Sequence, residues 1–187
     1  MPVRGDDPLA DPEDAVRRVY AYVAYRLGDG PAAEDVTSAT IERALRYRSS
    51  YDKAKGAGSA WLIGIARRLV DESYRKDALA ATVEVVPDRT DGGFEDAAIR
   101  RVSLAAAVGR LEPRDRELIA LRYGADLTAR QIADVLGQRT NAVEVALHRA
   151  LGRLRALVDG LDPPRKESGS RSSSPDTSTH LTPEDGT

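Results

Sequence analysis

A chain of 187 residues without cysteine has neither a disulfide framework nor a thiolate metal site, and its length fits one domain or two small ones. Hydrophobic residues make up 41% but aromatic ones only 5%, so any core must be built from Leu, Ala, Val and Ile, as packed helices are. The net charge of −2 would disfavour a nucleic-acid partner if it were evenly spread, and it is not.

The opening MPVRGDDPLADPED lacks the basic start and apolar run of a signal peptide. No apolar run approaches the roughly 20 residues of a membrane span, so a soluble cytoplasmic protein is expected. From Pro12 the pattern is helical. Asp14 to Leu27 predicts an amphipathic helix with Val16, Val19, Tyr20, Val23 and Leu27 facing inward. Gly28-Asp29-Gly30 breaks it, and Pro31 suits the first position of a second helix running to about Arg48. Glu34 and Asp35 fall in the first turn of that helix, where the dipole favours acids, and its polar face also carries Ser38, Glu42 and Arg43.

A polar loop, Ser49 to Ser59, precedes the longest predicted helix, Ser59 to about Ala80. The loop has Lys53 and Lys55 beside Tyr51, with Tyr47 and Trp61 nearby, a combination suited to a phosphate backbone and stacked bases. Trp61 also lies on the apolar stripe of the long helix with Leu62, Ile65, Ala66 and Leu69, which favours a place in the core. Arg67, Arg68, Arg75 and Lys76 form a basic stripe on the same helix, partly offset by Asp71 and Glu72. Helix-face ion pairing explains such a stripe as simply as DNA contact does, and Arg68 and Arg75 are the candidates for the latter.

Pro87, Gly92 and Gly93 among four acids mark a linker, and a helical pattern resumes near Ala97. Ile99 to Leu111 and Pro113 to Gly124 are the next predicted helices. Thr128 to Arg149 then reads as a helix-turn-helix. Thr128 and Gln131 have capping-box spacing, Ile132, Ala133, Val135 and Leu136 form a short apolar stripe, and Gly137 suits the left-handed turn. Val143 and Leu147, four apart, anchor the second helix on the same core. After Asp162 the chain is rich in Ser, Thr and Pro and lacks core residues, so the tail is expected to be disordered. The predicted fold is all-α: helical domains at 12–81 and 99–161, a flexible linker at 82–98 and a disordered tail at 162–187.

Charge follows this division. Residues 99–161 hold 11 Arg or Lys against 7 Asp or Glu, whereas residues 84–98 hold 1 against 5. The positive surplus lies with the helix-turn-helix, where phosphate binding needs it. Side chains at the start of a reading helix reach base edges and later basic ones reach phosphates. Arg139, Thr140, Asn141, Glu144 and Val145 are therefore base-edge or groove-lip candidates, and His148, Arg149 and Arg153 backbone-contact candidates. With His148 and His180 as the two histidines and no Gly-Lys phosphate motif, no metal cluster, cofactor site or catalytic residue is assigned, and no enzyme is expected.

Two stretches resemble one family. AAEDVTSATIERAL (Ala32–Leu45) with AWLIGIARRLVDESYRK (Ala60–Lys76) resembles region 2 of bacterial sigma factors of the extracytoplasmic-function (ECF) group. LEPRDRELIALRYGADLTARQIADVLG (Leu111–Gly137) with VEVALHRALGRLRAL (Val143–Leu157) resembles their region 4. The resemblance implies a dissociable subunit of core RNA polymerase that recognises the −10 and −35 promoter elements, docks on the clamp helices and flap, and answers to an anti-sigma protein. It implies clamp contacts at Asp35, Ser38, Glu42 and Arg43 and capture of an extruded −10 base near Tyr51, Asp52, Lys53 and Lys55. The family commonly has Gln-Glu where Ser38-Ala39 stand, Lys where Glu144 stands and Arg where Ala146 stands. A stand-alone regulator binding duplex DNA is the main alternative, and a sigma-like decoy that does not initiate is a second.

Overall fold

The computed structural model describes residues 7–80 and 104–160; the predicted linker core, the start of the helix placed at Ile99 and the tail lie outside them. Among the described residues all regular structure is helical. In chain order come α1 (Pro12–Leu27), α2 (Pro31–Arg46), α3 (Gly58–Ala80), a short helix α4 at 104–109, α5 (Pro113–Ile119), α6 (Ala129–Leu136) and α7 (Thr140–Asp159). Two 3-10 turns, Arg48–Ser50 and Lys53–Lys55, fall between α2 and α3, and α5 continues into a π-helical segment, Ala120–Gly124.

Local chemistry sets the helix ends. The Asp11 carboxylate accepts from the Asp14 amide at 3.0 Å and starts α1 two residues before the predicted position. Asp14 in turn accepts from Arg17 and Arg18, which hold its carboxyl below the usual range. Pro31 opens α2 and Pro113 opens α5, at the first turn where a missing N–H costs nothing. The second helix stops at Arg46 rather than Arg48, because the next residues tighten into a 3-10 turn in which Ser50 bonds back to the Tyr47 carbonyl.

Helices α1, α2 and α3 pack as a bundle, and α5, α6 and α7 form a second helical region around Leu118, Ile132, Val143 and Leu147. The two regions do not stand apart. Val19, Tyr22, Val23, Ile63 and Val70 share one continuous core with Leu118, Leu121, Ala125, Leu127 and Ile132. This closure corrects the inner face expected for α1. Val16 is exposed, while Ala15, Val19, Tyr22, Val23 and Arg26 are buried, because the π segment covers the α1 flank that carries Tyr22. The α3 face is as expected but wider: Leu62, Ala66 and Leu69 are buried, Ile63 and Val70 are fully buried as well, and Trp61 and Ile65 are half-buried at its margin.

The fit is close enough to dictate a residue. A Cβ at Gly124 would lie 2.9 Å from both Cα and N of Tyr22, a backbone clash that no rotamer relieves. Tyr22 is fully buried, and burial pushes its phenol well above the ordinary tyrosine range, so the ring remains neutral. A shared core implies shared unfolding. Leu121→Ala, in the second region, should cost about 2–5 kcal/mol. It should also lower the urea midpoint reported by Trp61 fluorescence, although Trp61 lies in the first region. An unmoved Trp61 transition would show that the two regions melt independently.

Candidate nucleic-acid interface

The helix-turn-helix forms as its local signals require. The Thr128 hydroxyl accepts from the Gln131 amide at 3.3 Å, and the Gln131 side chain accepts from the Thr128 amide at 2.8 Å, closing the capping box. Gly137 ends α6 at φ 63°, ψ 36°, the left-handed conformation that costs a side-chain-bearing residue energy, and the Gln138 amide bonds back to the Ala133 carbonyl at 2.9 Å. Ile132 and Ala133 on α6 and Val143, Leu147 and Ala150 on α7 are buried.

Burying Val143, Leu147 and Ala150 leaves Asn141, Glu144, Val145, His148 and Arg149 exposed on the opposite face of α7. Arg139 precedes that face as the N-cap residue and is exposed, and Thr140 begins the helix half-buried. The predicted candidates on α7 thus share one surface, with amide, carboxylate, methyl, imidazole and guanidinium groups in succession. Arg149 shares a hollow with Arg114, Val145 and Ala146. Arg114 went unpredicted; its signal was a cation in the first turn of the helix opened by Pro113. Arg153 is differently employed. Its guanidinium donates to both carboxylate oxygens of the buried Asp115, the longer bond being 2.7 Å, so it ties α7 to α5 instead of standing free on the reading face.

In the first region the 51–58 loop is shaped from within. The Tyr51 hydroxyl donates to the Gly56 carbonyl at 3.1 Å, and its ring lies 5.6 Å from that of Trp61, tilted by 57°. Asp52 caps the short 3-10 turn by accepting from the Ala54 amide at 3.0 Å and stands 3.6 Å from the Lys55 ammonium. Lys53 and Lys55 are exposed. Trp61 is thus half-buried, packing against the core on one side and lying beside the Tyr51 ring on the other.

The basic stripe of α3 divides. Arg68 and Arg75 are exposed, with Arg75 donating to the Asp71 carbonyl at 3.1 Å. Arg67 instead reaches Glu117 of α5 at 2.6 Å and belongs to the interior seam. On α2, Asp35, Ser38 and Glu42 are exposed on one side, with Arg43 beside them 3.6 Å from Glu72 of α3. Glu42 pairs with Arg46 at 2.6 Å. The loop and the helix-turn-helix also meet: Tyr51, Lys55, Gly56, Trp61, Asp134 and Val135 line one hollow.

Residues 13–79 match the family described as Sigma-70 region 2, and residues 101–154 match the one described as Sigma-70, region 4. Among curated proteins, the chain is 39% identical over 137 residues to the ECF RNA polymerase sigma factor ShbA of Streptomyces griseus, covering 68% of this chain and 70% of that protein. It is 33% identical to the ECF RNA polymerase sigma factor BldN of Streptomyces coelicolor, across 75% of this chain and 56% of the relative. It is 36% identical to the ECF RNA polymerase sigma factor SigD of Mycobacterium tuberculosis, across 66% and 59%. The chain thus spans little more than half the length of the last two. Among solved structures, its fold is similar to the sigma factor RpoE in complex with the anti-sigma factor NepR from Bartonella quintana, at TM-score 0.62, 20% identity and 78% and 92% coverage. It is also similar to CnrH in complex with the cytosolic domain of CnrY, at TM-score 0.57, 23% identity and 82% and 86% coverage.

If the exposed α7 face meets duplex DNA, its charges set the salt dependence of binding. Glu144→Lys should steepen the slope of log affinity against log salt by about one charge, and Arg149→Ala should flatten it by about one. Slopes unchanged in both variants, measured by fluorescence anisotropy from low to moderate salt, would remove this face from the interface.

Proposed function

The chain belongs to the ECF sigma factors of the sigma-70 family, and from that premise we propose that it is a dissociable subunit that binds core RNA polymerase and directs it to promoters. The observation that carries this is the pairing of two unlike modules in one chain. A capped helix-turn-helix with an exposed reading face follows a helical bundle whose loop offers Tyr51, Lys53 and Lys55 beside Trp61. A regulator that only grips duplex DNA has no use for the second.

In this proposal residues 12–81 form the region that docks on the polymerase clamp helices and captures the −10 strand. Asp35, Ser38, Glu42 and Arg43 make the clamp contacts. Ser38-Ala39 replaces a longer polar pair, so the charged residues on either side carry more of the docking energy. Tyr51, Asp52, Lys53 and Lys55 receive the extruded base, with Arg68 and Arg75 along the backbone. A base stacked on such an aromatic contributes about 1–3 kcal/mol.

Residues 99–161 form the region that meets the flap and reads the −35 duplex. Asn141 matches adenine and Arg139 guanine, while Glu144 accepts from cytosine and Val145 meets a thymine methyl group. The segment at 82–98 joins the two, and its acidic residues steer it away from duplex DNA. The chain contributes positioning and no catalytic group of its own. Its place of work is the cytoplasm, where polymerase is; among the described residues no helix is long and apolar enough to cross a membrane. Control by an anti-sigma protein is part of the proposal, supported by the likeness in fold to a sigma factor solved in complex with an anti-sigma factor.

Run-off transcription with core polymerase tests the whole. A promoter-dependent transcript that requires this chain is expected, and its absence on every promoter selected from transcripts induced in cells would overturn the proposal. Asp35→Arg with Glu42→Arg should abolish co-migration with core. Tyr51→Ala should leave −35 duplex binding intact and reduce strand opening, read by permanganate reactivity, by about tenfold.

A further inference from the structure

The residues just before α1 cross the loop that separates α2 from α3. Asp7 accepts from Arg48 through both carboxylate oxygens, the Nε bond being 2.8 Å, and its Oδ1 also takes the Leu9 amide at 3.0 Å. The Ala10 amide closes a turn on the Asp7 carbonyl at 3.1 Å, and Asp11 then caps α1. Within that turn Leu9 is buried in the core, and Pro8 lies against Gly58, the first residue of α3. Arg48 begins the 3-10 turn that follows α2, so residues 7–10 touch the loop at both of its ends.

Gly58 shows that this crossing is built into the sequence. It is not among the glycines with positive φ, so its backbone does not call for glycine. The neighbour does: a Cβ there would lie 2.8 Å from Pro8 Cα and 3.0 Å from Pro8 Cβ. Leu9 keeps Pro8 from moving aside, because lifting it would return apolar surface to water. An isolated surface ion pair contributes little. This one is bidentate, uses a half-buried carboxylate, and stands beside an apolar anchor and a steric fit. The Asp7–Arg48 and Pro8–Gly58 contacts both lie within the first region. Inside the loop, the Tyr51 bond to Gly56 and the Asp52 cap on Ala54 shape the tip and leave its ends to be fixed from outside.

We propose that residues 7–10 form a strap that sets the position of the 51–58 loop for capture of the −10 strand, with Asp7 and Pro8 as positioning residues. The proposal rests on the strand-capture reading of that loop given above. A base must stack on Tyr51 while Lys53 and Lys55 meet phosphates, which requires the loop in one arrangement. A loop loose at both ends would be ordered only as the strand binds, at a cost in affinity; a strapped loop is ordered beforehand. Asp7 acts through Arg48 and not on the strand, since its carboxylate is engaged by the guanidinium and the Leu9 amide.

Charge gives the test its sign. Asp7→Ala removes a negative charge and Arg48→Ala a positive one, so as independent charges they would move strand binding in opposite directions and cancel when combined. The strap predicts that both weaken it, and that the double variant is no worse than either single one. Full-length chain with core polymerase, on a promoter selected from transcripts induced in cells, should lose permanganate reactivity at the −10 element about threefold in all three proteins. Binding to the −35 duplex should not change. In the free chain, trypsin should cut faster after Lys53 and Lys55. Gly58→Ala should act in the same direction through Pro8; if circular dichroism shows it unfolded, the Asp7 and Arg48 variants carry the comparison. Opening that is unchanged or increased in Asp7→Ala, while Tyr51→Ala is impaired, would overturn the strap. So would singles of opposite sign that cancel in the double. Faster cleavage with opening unaltered in Asp7→Ala and Tyr51→Ala alike would instead strike the strand-capture reading of the loop.

Discussion

A buried guanidinium governs this architecture. Arg26 is only 7% exposed, and a charge that deep costs several kcal/mol unless it is paired and hydrogen-bonded. Burial disfavours its charged form, but Tyr22, Glu117 and Tyr74 more than offset that effect, and its pKa is raised. Its partners come from three helices. The Tyr22 hydroxyl is 3.3 Å away on α1, the Tyr74 ring lies 5.5 Å beneath it on α3, and Glu117 approaches from α5. Tyr74 also donates its hydroxyl to the Arg26 carbonyl, which fixes α3 against the end of α1. Without the second region, Arg26 would keep, among the described residues, only Asp71, at 3.8 Å, as a carboxylate partner. The first bundle is thus electrostatically complete only when the second packs on it.

That dependence makes the closed state specific instead of merely sticky. Apolar burial by Leu121, Ala125 and Leu127 has no direction, and could be satisfied by several rotations of one region on the other. The Arg67–Glu117–Arg26 cluster and, at the opposite edge, the bond from Arg18 to the Ala125 carbonyl admit one rotation. Gly124 against Tyr22 sets the approach distance. Polar pairs select the arrangement, and hydrophobic area stabilises what they select.

How far the sequence revealed all this depends on the range of the forces involved. The capping box at Thr128, the left-handed Gly137 and the Val143–Leu147 anchors were legible because each is settled within four or five residues. The same holds for the exposed series Asn141, Glu144, Val145 and His148, which follows once the buried face of α7 is known. The misplacing of Val16, the one exposed residue of the inner face expected for α1, has the opposite origin. Val16 is as apolar as Val19, yet Val16 is exposed and Val19 fully buried, in a helix that packs on α2, on α3 and on a segment about a hundred residues later. Arg67 looked like a member of a basic surface stripe for the same reason: its partner is 50 residues away. Arg26 and Glu117 attracted no notice, since a charged residue at a helix end is ordinarily solvated.

The π segment at Ala120–Gly124 carries a consequence of another sort. Its widened turn, closed by the Ala125 amide on the Ala120 carbonyl at 2.9 Å, accommodates one residue more than an α-helical turn would. One residue of an α-helix corresponds to about 100° of rotation. The angular phase between Glu117 on α5 and Gly124 at the end of the π segment is therefore set by a single inserted position. Removing that position would carry Gly124 off the Tyr22 backbone and disturb the packing of one region on the other, while leaving every base-facing side chain of α7 unchanged.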